Sequence, residues 1–389
     1  MTRPIDAGLD LLKTASTLKP LIADHADAAE RDRRVPKPVI DALAAARVFH
    51  IFVPRDFGGG EVDPATGVRL IEELSKADGS TGWIAMIGAT TGVISAYLPA
   101  EVAREVYRPG VITGGVVAPR GTATATDGGY TVTGRWPFAS GCEHSEWLVC
   151  ACLVQGNGEL EGLPGGAPDV RMALFPASVV EIIDTWHVSG LRGTGSHDIA
   201  VTDLFVPRDY SYSVACDRPM QPGALYRFSM MCLLAVSVAA VALGIGRAAL
   251  DEIHAMAPKK TPVGRRKPLS EWSAVQIALA EAEASLRSGR AFLFETVSEM
   301  WSALKGGADP STQQRALVRL SASQAVVGAV RAVDIAYNHG GGTSIYESSR
   351  LQRQFRDIHA LTQHVMVGPS SFEAAGRALL GQDVPPGFL

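Results

Sequence analysis

The stretch MMCLLAVSVAAVALGIG, residues 230–246, decides how this chain folds. It is strongly apolar, yet it is shorter than the roughly 20 residues that a membrane-spanning helix needs. It also continues without a break into RAALDEI, residues 247–253, a helix-forming sequence that carries charges. We therefore interpret it as a buried helix in a soluble bundle, and we expect no membrane partner.

The spacing of apolar residues changes twice along the chain, from helical to strand-like and back to helical. Helical spacing of apolar residues continues after this stretch, up to a last predicted helix near 351–367. The same spacing covers most of the first 108 residues, as in Val39, Ile40 and Leu43. Between 111 and 207, short β-branched runs alternate with turns. The order predicts a mainly α fold with a central β domain: an N-terminal helical domain over 1–110, a middle β domain over 111–212, and a C-terminal helical bundle over 213–389.

Composition narrows the classes of function. The 389 residues include 36 Lys and Arg against 40 Asp and Glu, a net charge of −4, so no basic surface for nucleic acid is expected. The five cysteines form no CxxC pair and do not alternate with histidines, so we expect reduced thiols and no metal site. Asp6 and Asp10 stand where an export signal needs a basic and then an apolar run, which favours the cytoplasm.

Common catalytic motifs are missing from the sequence. No GxxxxGK[ST], HExxH or GxSxG sequence occurs, and the glycines 340–342 follow a helical pattern rather than a strand. His359 and His364 are five residues apart, about 140° from a shared helix face, which disfavours a metal pair. Tight nicotinamide binding and metal catalysis are therefore not expected.

Four segments instead resemble, in order and spacing, the acyl-CoA dehydrogenase superfamily. They are FGGGEVDPATGVRLIEELSKADGSTGW (57–83), GRWPFASGCEHSEW (134–147), WHVSGLRGTGSHDIAVTDLFVP (186–207) and GGGTSIYESSRLQRQFRDIHALTQH (340–364). The chain is most similar to the flavin-dependent monooxygenase branch, which includes the oxygenase components of p-hydroxyphenylacetate hydroxylase and dibenzothiophene monooxygenase. The resemblance implies an N-terminal helical domain, a middle β-barrel and a C-terminal four-helix bundle.

The choice between dehydrogenase and monooxygenase depends on one carboxylate. Acyl-CoA dehydrogenation needs a base that removes the α-proton of a thioester. Counted from Arg356 and Asp357, the usual glutamate position is Val365, and the alternative position on the apolar helix falls near Leu234. Neither is an acid. The resemblance therefore favours a monooxygenase, with an acyl-CoA dehydrogenase-like FAD oxidoreductase as the alternative and a flavin-binding protein without chemistry as a third interpretation.

In the monooxygenase branch a histidine occupies this region, and His364 matches it. A flavin C4a-hydroperoxide needs hydrogen bonds and exclusion of water, and a phenol or indole must become electron-rich. An imidazole with an ordinary pKa of about 6.5 can accept a substrate proton or hydrogen-bond the peroxide. Taken without the resemblance, His364 is better explained as a structural histidine in the core or at a helix end.

The resemblance also assigns residues to the cofactor. Ser140, between Ala139 and Gly141, is the expected partner of flavin N5, although a plain Ser-Gly turn would have the same sequence. The other expected contacts are Trp83 over the ring, Pro119 at the ring edge, Arg265 at the phosphate from a neighbouring subunit, and Gly342 with Thr343 close to the cofactor. Each of these has an ordinary structural alternative, such as a buried aromatic, a β-turn, a solvated basic loop or a helix end.

The function implied by the resemblance is the oxygenase component of a two-component monooxygenase. It would hydroxylate a small aromatic of phenol or indole type with FMNH2 or FADH2 and O2. The motif around Arg265 lacks the Arg and Phe-Gly of the family's FAD-binding arm, so reduced flavin would come from a separate NAD(P)H:flavin reductase. The apolar surfaces of 230–246 and 322–336 exceed what one bundle needs, and with the resemblance they imply a homotetramer.

Overall fold

In the computed structural model, which describes residues 9–156, 159–160, 162, 168–214 and 216–384, the apolar stretch lies within a 27-residue helix, Met230–Met256. By length and composition this helix and the helical stretch Thr312–Ile345 could cross a membrane. The most apolar windows of the two are, however, 89% and 67% buried inside the chain. The predicted buried helix is confirmed, and it forms the centre of the helical core.

Helices make up both ends of the described chain. The N-terminal ones are α1 (Leu9–Asp32), α2 (Lys37–Ala45), α3 (Pro64–Ser75), α4 (Gly79–Thr91) and α5 (Ala100–Val106). The C-terminal ones are α6 (Ala224–Arg227), α7 (Met230–Met256), α8 (Ser273–Lys305), α9 (Thr312–Gly340), α10 (Arg350–Leu361) and α11 (Pro369–Leu379). One apolar core joins the two groups, because α3 and α4 pack directly on α7.

Within the described part of the chain, eight strands lie between these helices and form one sheet. They are β1 (Thr113–Thr126), β2 (Gly129–Trp136), β3 (Trp147–Gly156), β4 (Glu159–Leu160), β5 (Val170–Pro176), β6 (Glu181–Ile183), β7 (Asp198–Pro207) and β8 (Ser211–Ser213). The strand order is β6-β7-β2-β1-β3-β5-β8, with β4 paired to β3. The sheet wraps around a core that includes Trp136, Phe175 and Cys150, with β6 and β8 at the two ends of the hydrogen-bonded ladder.

Strand β1 carries the irregularity that matters for function. It runs antiparallel to β2 and parallel to β3, and its register with β3 shifts between Val116 and Gly121. Residues 117–120 therefore bulge out of the ladder, a feature common beside active sites. At Gly121 a Cβ atom would lie 2.2 Å from the Trp136 ring, so only glycine lets the strand rejoin its neighbours.

These elements confirm a mainly helical fold with a central β domain. The predicted boundaries at 110/111 and 212/213 remain predictions, and the second falls inside β8. The end of the chain differs from the prediction of one helix near 351–367, because α10 ends at Leu361 and α11 begins only at Pro369. This break places His364 in a connecting turn rather than on a helix face.

Candidate active site

A cavity of about 390 Å³ opens where α4, the β1 bulge, α7 and the end of α10 meet. Its volume lies in the range of small-molecule and cofactor sites. Most of its walls are apolar, from side chains such as Ile87, Ile94, Val149, Met172 and Met230. The polar groups are few: Thr90, Thr91, Arg120, Ser140, Thr194, Ser196, Gln363 and His364.

Trp83 and Ser140 meet in the wall of this cavity. Helix α4 begins at Gly79 because the Asp78 carboxylate accepts the Thr81 N–H at 2.7 Å, which caps its first turn. One turn later, Trp83 Nε1 donates to Ser140 Oγ at 3.0 Å, and both side chains are buried. Two residues 57 positions apart in sequence, both predicted to contact the cofactor, thus lie side by side.

The loop that carries Ser140 is held in an unusual conformation. Gly141 has a φ of +70°, and its N–H donates to Thr194 O at 3.0 Å. Phe138 has a φ of +65°, which is strained for a residue with a side chain, and its ring is 67% exposed. The Ala139 N–H donates to His197 O at 3.0 Å. The predicted Ser-Gly turn therefore also serves to hold Ser140 against the loop that runs from 194 to 197.

His364 lies opposite, in the turn that follows α10. Its ring packs edge-on against Trp83, with ring centroids 5.3 Å apart. The Met366 N–H donates to His364 Nδ1 at 3.3 Å. Because Nδ1 accepts, the proton of the neutral ring is on Nε2. Within the described residues Nε2 has no hydrogen-bond partner, so its N–H is available to a ligand in the cavity.

Burial changes the acid-base behaviour expected of His364. Loss of solvent, together with the positive charge of Arg319, lowers its pKa to about 4. The sequence expectation assumed an ordinary value near about 6.5. A neutral ring with a weakly basic Nδ1 already in use is better suited to donating a hydrogen bond than to removing a substrate proton.

The two positions that hold the base of an acyl-CoA dehydrogenase both line the cavity. They are Val365, after His364, and Leu234, on α7. No aspartate or glutamate is present among the described residues of the cavity wall. Among the described lining residues, none carries a carboxylate that could remove an α-proton.

The β1 bulge supplies another wall. Ala118 and Arg120 line the cavity, and Pro119 between them is exposed at the same bulge. The local sequence also suited a simple β-turn, but the segment lies within β1. Arg120 is exposed, and within the described chain it forms neither an ion pair nor a hydrogen bond.

Six of the nine predicted cofactor residues are not among those that line the cavity. Pro119, Ala139 and Gly141 are sequence neighbours of lining residues, whereas Arg265, Gly342 and Thr343 are not. Arg265 is exposed and its guanidinium stacks over the Trp272 ring at 4.7 Å. Thr343 Oγ1 accepts from Lys260 Nζ at 2.7 Å, and Gly342 is exposed beside it. One chain therefore does not place Arg265, Gly342 or Thr343 in the cavity wall with Ser140.

Loop 186–196 contributes residues that the sequence analysis missed. Trp186, Leu191, Thr194 and Ser196 all line the cavity. Their segment was quoted only as part of the resemblance. The signal that could have identified them is the group of hydroxyl residues and glycines in GLRGTGS, residues 190–196, because small residues let backbones approach one another closely.

Asp357 holds this loop in place. Its Oδ1 accepts the Leu191 N–H at 2.6 Å, and a Cβ on the preceding Gly190 would lie 2.0 Å from Arg356 O. Burial raises the pKa of Asp357 to about 7, and the nearby Asp78 charge adds to the effect. The N–H of Leu191 and the charges of Arg353 and Arg356 act in the opposite direction. Asp357 thus fixes the position of Leu191, which lines the cavity.

Comparison with known proteins agrees with this geometry. Residues 14–114 match the family model "Acyl-CoA dehydrogenase, N-terminal domain", and residues 236–369 match "Acyl-CoA dehydrogenase, C-terminal domain". The chain is 34% identical to the indole-3-acetate monooxygenase of Pseudomonas putida, over 92% of this chain and 91% of that protein. The chain belongs to the flavin-dependent monooxygenase branch of the acyl-CoA dehydrogenase superfamily.

Other members of the branch are similar over their whole length. The oxygenase component of an FADH(2)-dependent resorcinol hydroxylase from Rhizobium sp. is 31% identical, with 94% of this chain and 91% of that protein covered. The structure of XiaF from Streptomyces sp., in complex with FADH2 and glycerol, superposes with a TM-score of 0.89 at 26% identity, and 96% of each chain is covered. As a flavin-dependent monooxygenase, this chain is an oxidoreductase.

Proposed function

We propose that this monooxygenase is the oxygenase component of a two-component system that hydroxylates a small aromatic of indole or phenol type. It would take FMNH2 or FADH2 from a separate NAD(P)H:flavin reductase and use O2 as co-substrate. The observation that carries the proposal is the composition of the cavity: apolar walls, the Trp83, Ser140 and His364 group, and no carboxylate among the described lining residues. We further propose that it is a cytoplasmic homotetramer that binds neither nucleic acid nor membrane.

The residues present fit a flavin ring. Reduced flavin, when bound, supplies the electrons that activate O2. Ser140 Oγ keeps one lone pair free for a ring N–H, and the Trp83 indole gives a flat apolar surface beside it. Ala139 and Gly141 would hold this contact through their backbone bonds to the 194–197 loop, and Pro119 would stand at the ring edge.

His364 then acts by donating a hydrogen bond. His364 lines the cavity with an Nε2–H that has no hydrogen-bond partner among the described residues, and its ring stays neutral over the physiological range because burial holds its pKa at about 4. An N–H in an apolar cavity can hold an oxygen of the substrate or of activated O2 in place without moving a proton. Water exclusion by Ile87, Ile94 and Val149 strengthens that bond.

Arg120 gives a reason to prefer an acidic aromatic. It is the one permanently charged side chain among the described lining residues, and it has no partner within the described chain. A carboxylate is the group that a guanidinium binds best, through two parallel hydrogen bonds. The indole-3-acetate named for a 34% identical relative carries such a group. We propose that Arg120 binds the carboxylate of an aromatic acid.

The flavin phosphate would be bound from the neighbouring subunit. Arg265, Gly342 and Thr343 are exposed, and Lys260 beside Thr343 adds a positive charge to the same surface. Charged donors and an accessible glycine suit a phosphate group. In a tetramer this surface would complete the cofactor site of a partner.

The surface available for assembly overlaps only in part with the one expected from sequence. The residues of 230–246 are mostly covered within one chain, so they cannot supply it. Val327 on α9, within the expected segment 322–336, is exposed, and so are Ile277 on α8 and Ile345 with Tyr346 after α9. These residues support the proposed oligomer.

The test combines binding and turnover. Anaerobic titration of the purified protein with FMNH2 and with FADH2 should show saturable binding, whereas oxidised flavin should bind much more weakly. Addition of aerated indole-3-acetate or indole should then give a product heavier by one oxygen atom. Tightly held oxidised FAD together with dye reduction by an acyl-CoA would instead indicate the dehydrogenase alternative. Absence of flavin binding in both redox states would indicate a protein without catalytic activity.

A further inference from the structure

A continuous row of hydrogen bonds runs from the cavity to the anchor at Asp357. Trp83 Nε1 bonds Ser140 Oγ at 3.0 Å, Ser140 Oγ bonds Ser196 Oγ at 2.7 Å, and Ser196 Oγ bonds Thr194 Oγ1 at 2.7 Å. Thr194 Oγ1 bonds Leu191 O at 2.8 Å. The Ser140, Thr194 and Ser196 side chains are all at least 96% buried, so solvent provides no alternative partners.

The direction of every hydrogen bond in this row follows from its two ends. A carbonyl oxygen can only accept, so Thr194 donates its single hydroxyl proton to Leu191 O. Thr194 must then accept from Ser196, which uses the one proton that Ser196 has. Ser196 must therefore accept from Ser140. At the other end the indole N–H of Trp83 can only donate, so Ser140 accepts from it.

The proton of Ser140 is therefore directed away from the cavity. A hydroxyl has one donor and two acceptor sites, and here the donor and one acceptor site are already occupied. What Ser140 offers to a ligand is a single lone pair. A ligand group that carries a hydrogen can donate it to this lone pair. A ligand group that has only a lone pair finds no donor at Ser140, and it has also given up its hydrogen bond to water.

We propose that Thr194 and Ser196 are positioning residues that fix Ser140 as a hydrogen-bond acceptor, so that the site selects reduced over oxidised flavin. N5 of a reduced flavin carries a hydrogen, and N5 of an oxidised flavin carries only a lone pair. This inference rests on the proposed function, which places a flavin beside Ser140. It adds a cause for the preference for reduced flavin that acts through Ser140 and does not depend on the FAD-binding arm.

Two substitutions release the Ser140 proton by different routes. Ser196→Ala removes the group that accepts it, so the hydroxyl can turn and donate into the cavity. Thr194→Val removes the acceptor for Ser196, which can then donate to Ser140 and leave the Ser140 proton for the cavity. Thr194→Ser keeps the whole row and serves as the conservative control. Thermal melting and circular dichroism would verify that each variant is folded.

The readout is the ratio of the dissociation constants of oxidised and reduced FMN, measured by fluorescence under anaerobic conditions. In Ser196→Ala and Thr194→Val we expect oxidised FMN to bind more tightly with little change for FMNH2. The ratio should fall by roughly 5- to 30-fold, the effect of one mismatched buried hydrogen bond. The midpoint potential of bound flavin should fall by about 30 mV for each tenfold. Thr194→Ser should keep the wild-type ratio.

Two results would overturn the inference. The first is a wild-type ratio in both folded variants, and the second is a lower ratio that comes only from weaker FMNH2 binding. Either result leaves the proposed function intact if the wild-type protein binds FMNH2 and hydroxylates an aromatic. Failure of the wild-type protein to bind FMNH2 would instead remove the proposed function, so the two failures are distinguishable.

Discussion

Replacing His364 by asparagine and by glutamine separates the two hydrogen bonds that its ring offers. Asparagine places an oxygen near the position of Nδ1, so it can still accept the Met366 N–H, but it has no group at the position of Nε2. Glutamine reaches the position of Nε2 with an N–H donor and gives up the contact with Met366. The two variants therefore test whether activity depends on the Nε2–H donor in the cavity or only on the hydrogen bond that stabilises the turn at Met366.

The expected loss follows from the site. Removing a donor to a ligand oxygen inside an apolar cavity costs about 1–3 kcal/mol, which corresponds to about 5- to 150-fold in the rate of coupled hydroxylation. His364→Asn should show this loss and release hydrogen peroxide in place of product. His364→Gln should keep most of the coupling and melt at a slightly lower temperature. Both should still bind reduced flavin, because Ser140 and Trp83 are unchanged.

The assay is the ratio of hydroxylated product to flavin oxidised, with hydrogen peroxide measured in parallel. The wild-type ratio should stay constant from about pH 5.5 to 8, since a ring with a pKa near about 4 remains neutral there. The assignment of the donor to Nε2 would be refuted if His364→Asn kept the wild-type ratio of product to oxidised flavin while His364→Gln lost it. A wild-type ratio that falls as the pH drops through about 6.5 would refute the neutral ring.

Three further changes have expected outcomes. The raised pKa of Asp357 means that the folded chain holds this proton more tightly than the unfolded chain, so stability falls as pH rises from about 4 to 7; Asp357→Asn should flatten that part of the melting-temperature profile. Arg120→Ala should raise KM at least about tenfold for indole-3-acetate but hardly for indole, and equal effects on both would contradict a carboxylate contact. Sedimentation at micromolar concentration should show a tetramer, and a monomer would remove the proposed completion of the site by Arg265.

Much of the fold could be predicted from the sequence because long helices with periodic apolar residues dominate it. Residues 230–246 indicate a core helix on composition alone. The end of the last predicted helix was wrong. Periodicity continues from α10 to Val367, whereas the chain turns at His364 because the ring accepts the Met366 N–H.

The site could be predicted only in part, because its contacts are distant in sequence. Trp83, Ser140 and His364 were identified through the resemblance, and no local pattern shows that they share one cavity. The role of Thr194 and Ser196 depends on distances of 2.7 Å and on which hydroxyl donates. Residue types alone show neither of these. The pKa of His364 likewise follows from burial, which spacing along the chain does not reveal.

As a flavin-dependent monooxygenase, this chain should transfer one atom of O2 to an aromatic with reduced flavin. The most direct measurement is a single turnover of the FMNH2-loaded protein with indole-3-acetate under ¹⁸O2, followed by mass spectrometry of the product. We expect one ¹⁸O atom in each hydroxylated molecule and none when the label is in water. Product labelled from water, or oxidised flavin and hydrogen peroxide with no hydroxylated product from indole-3-acetate, indole or resorcinol, would contradict this expectation.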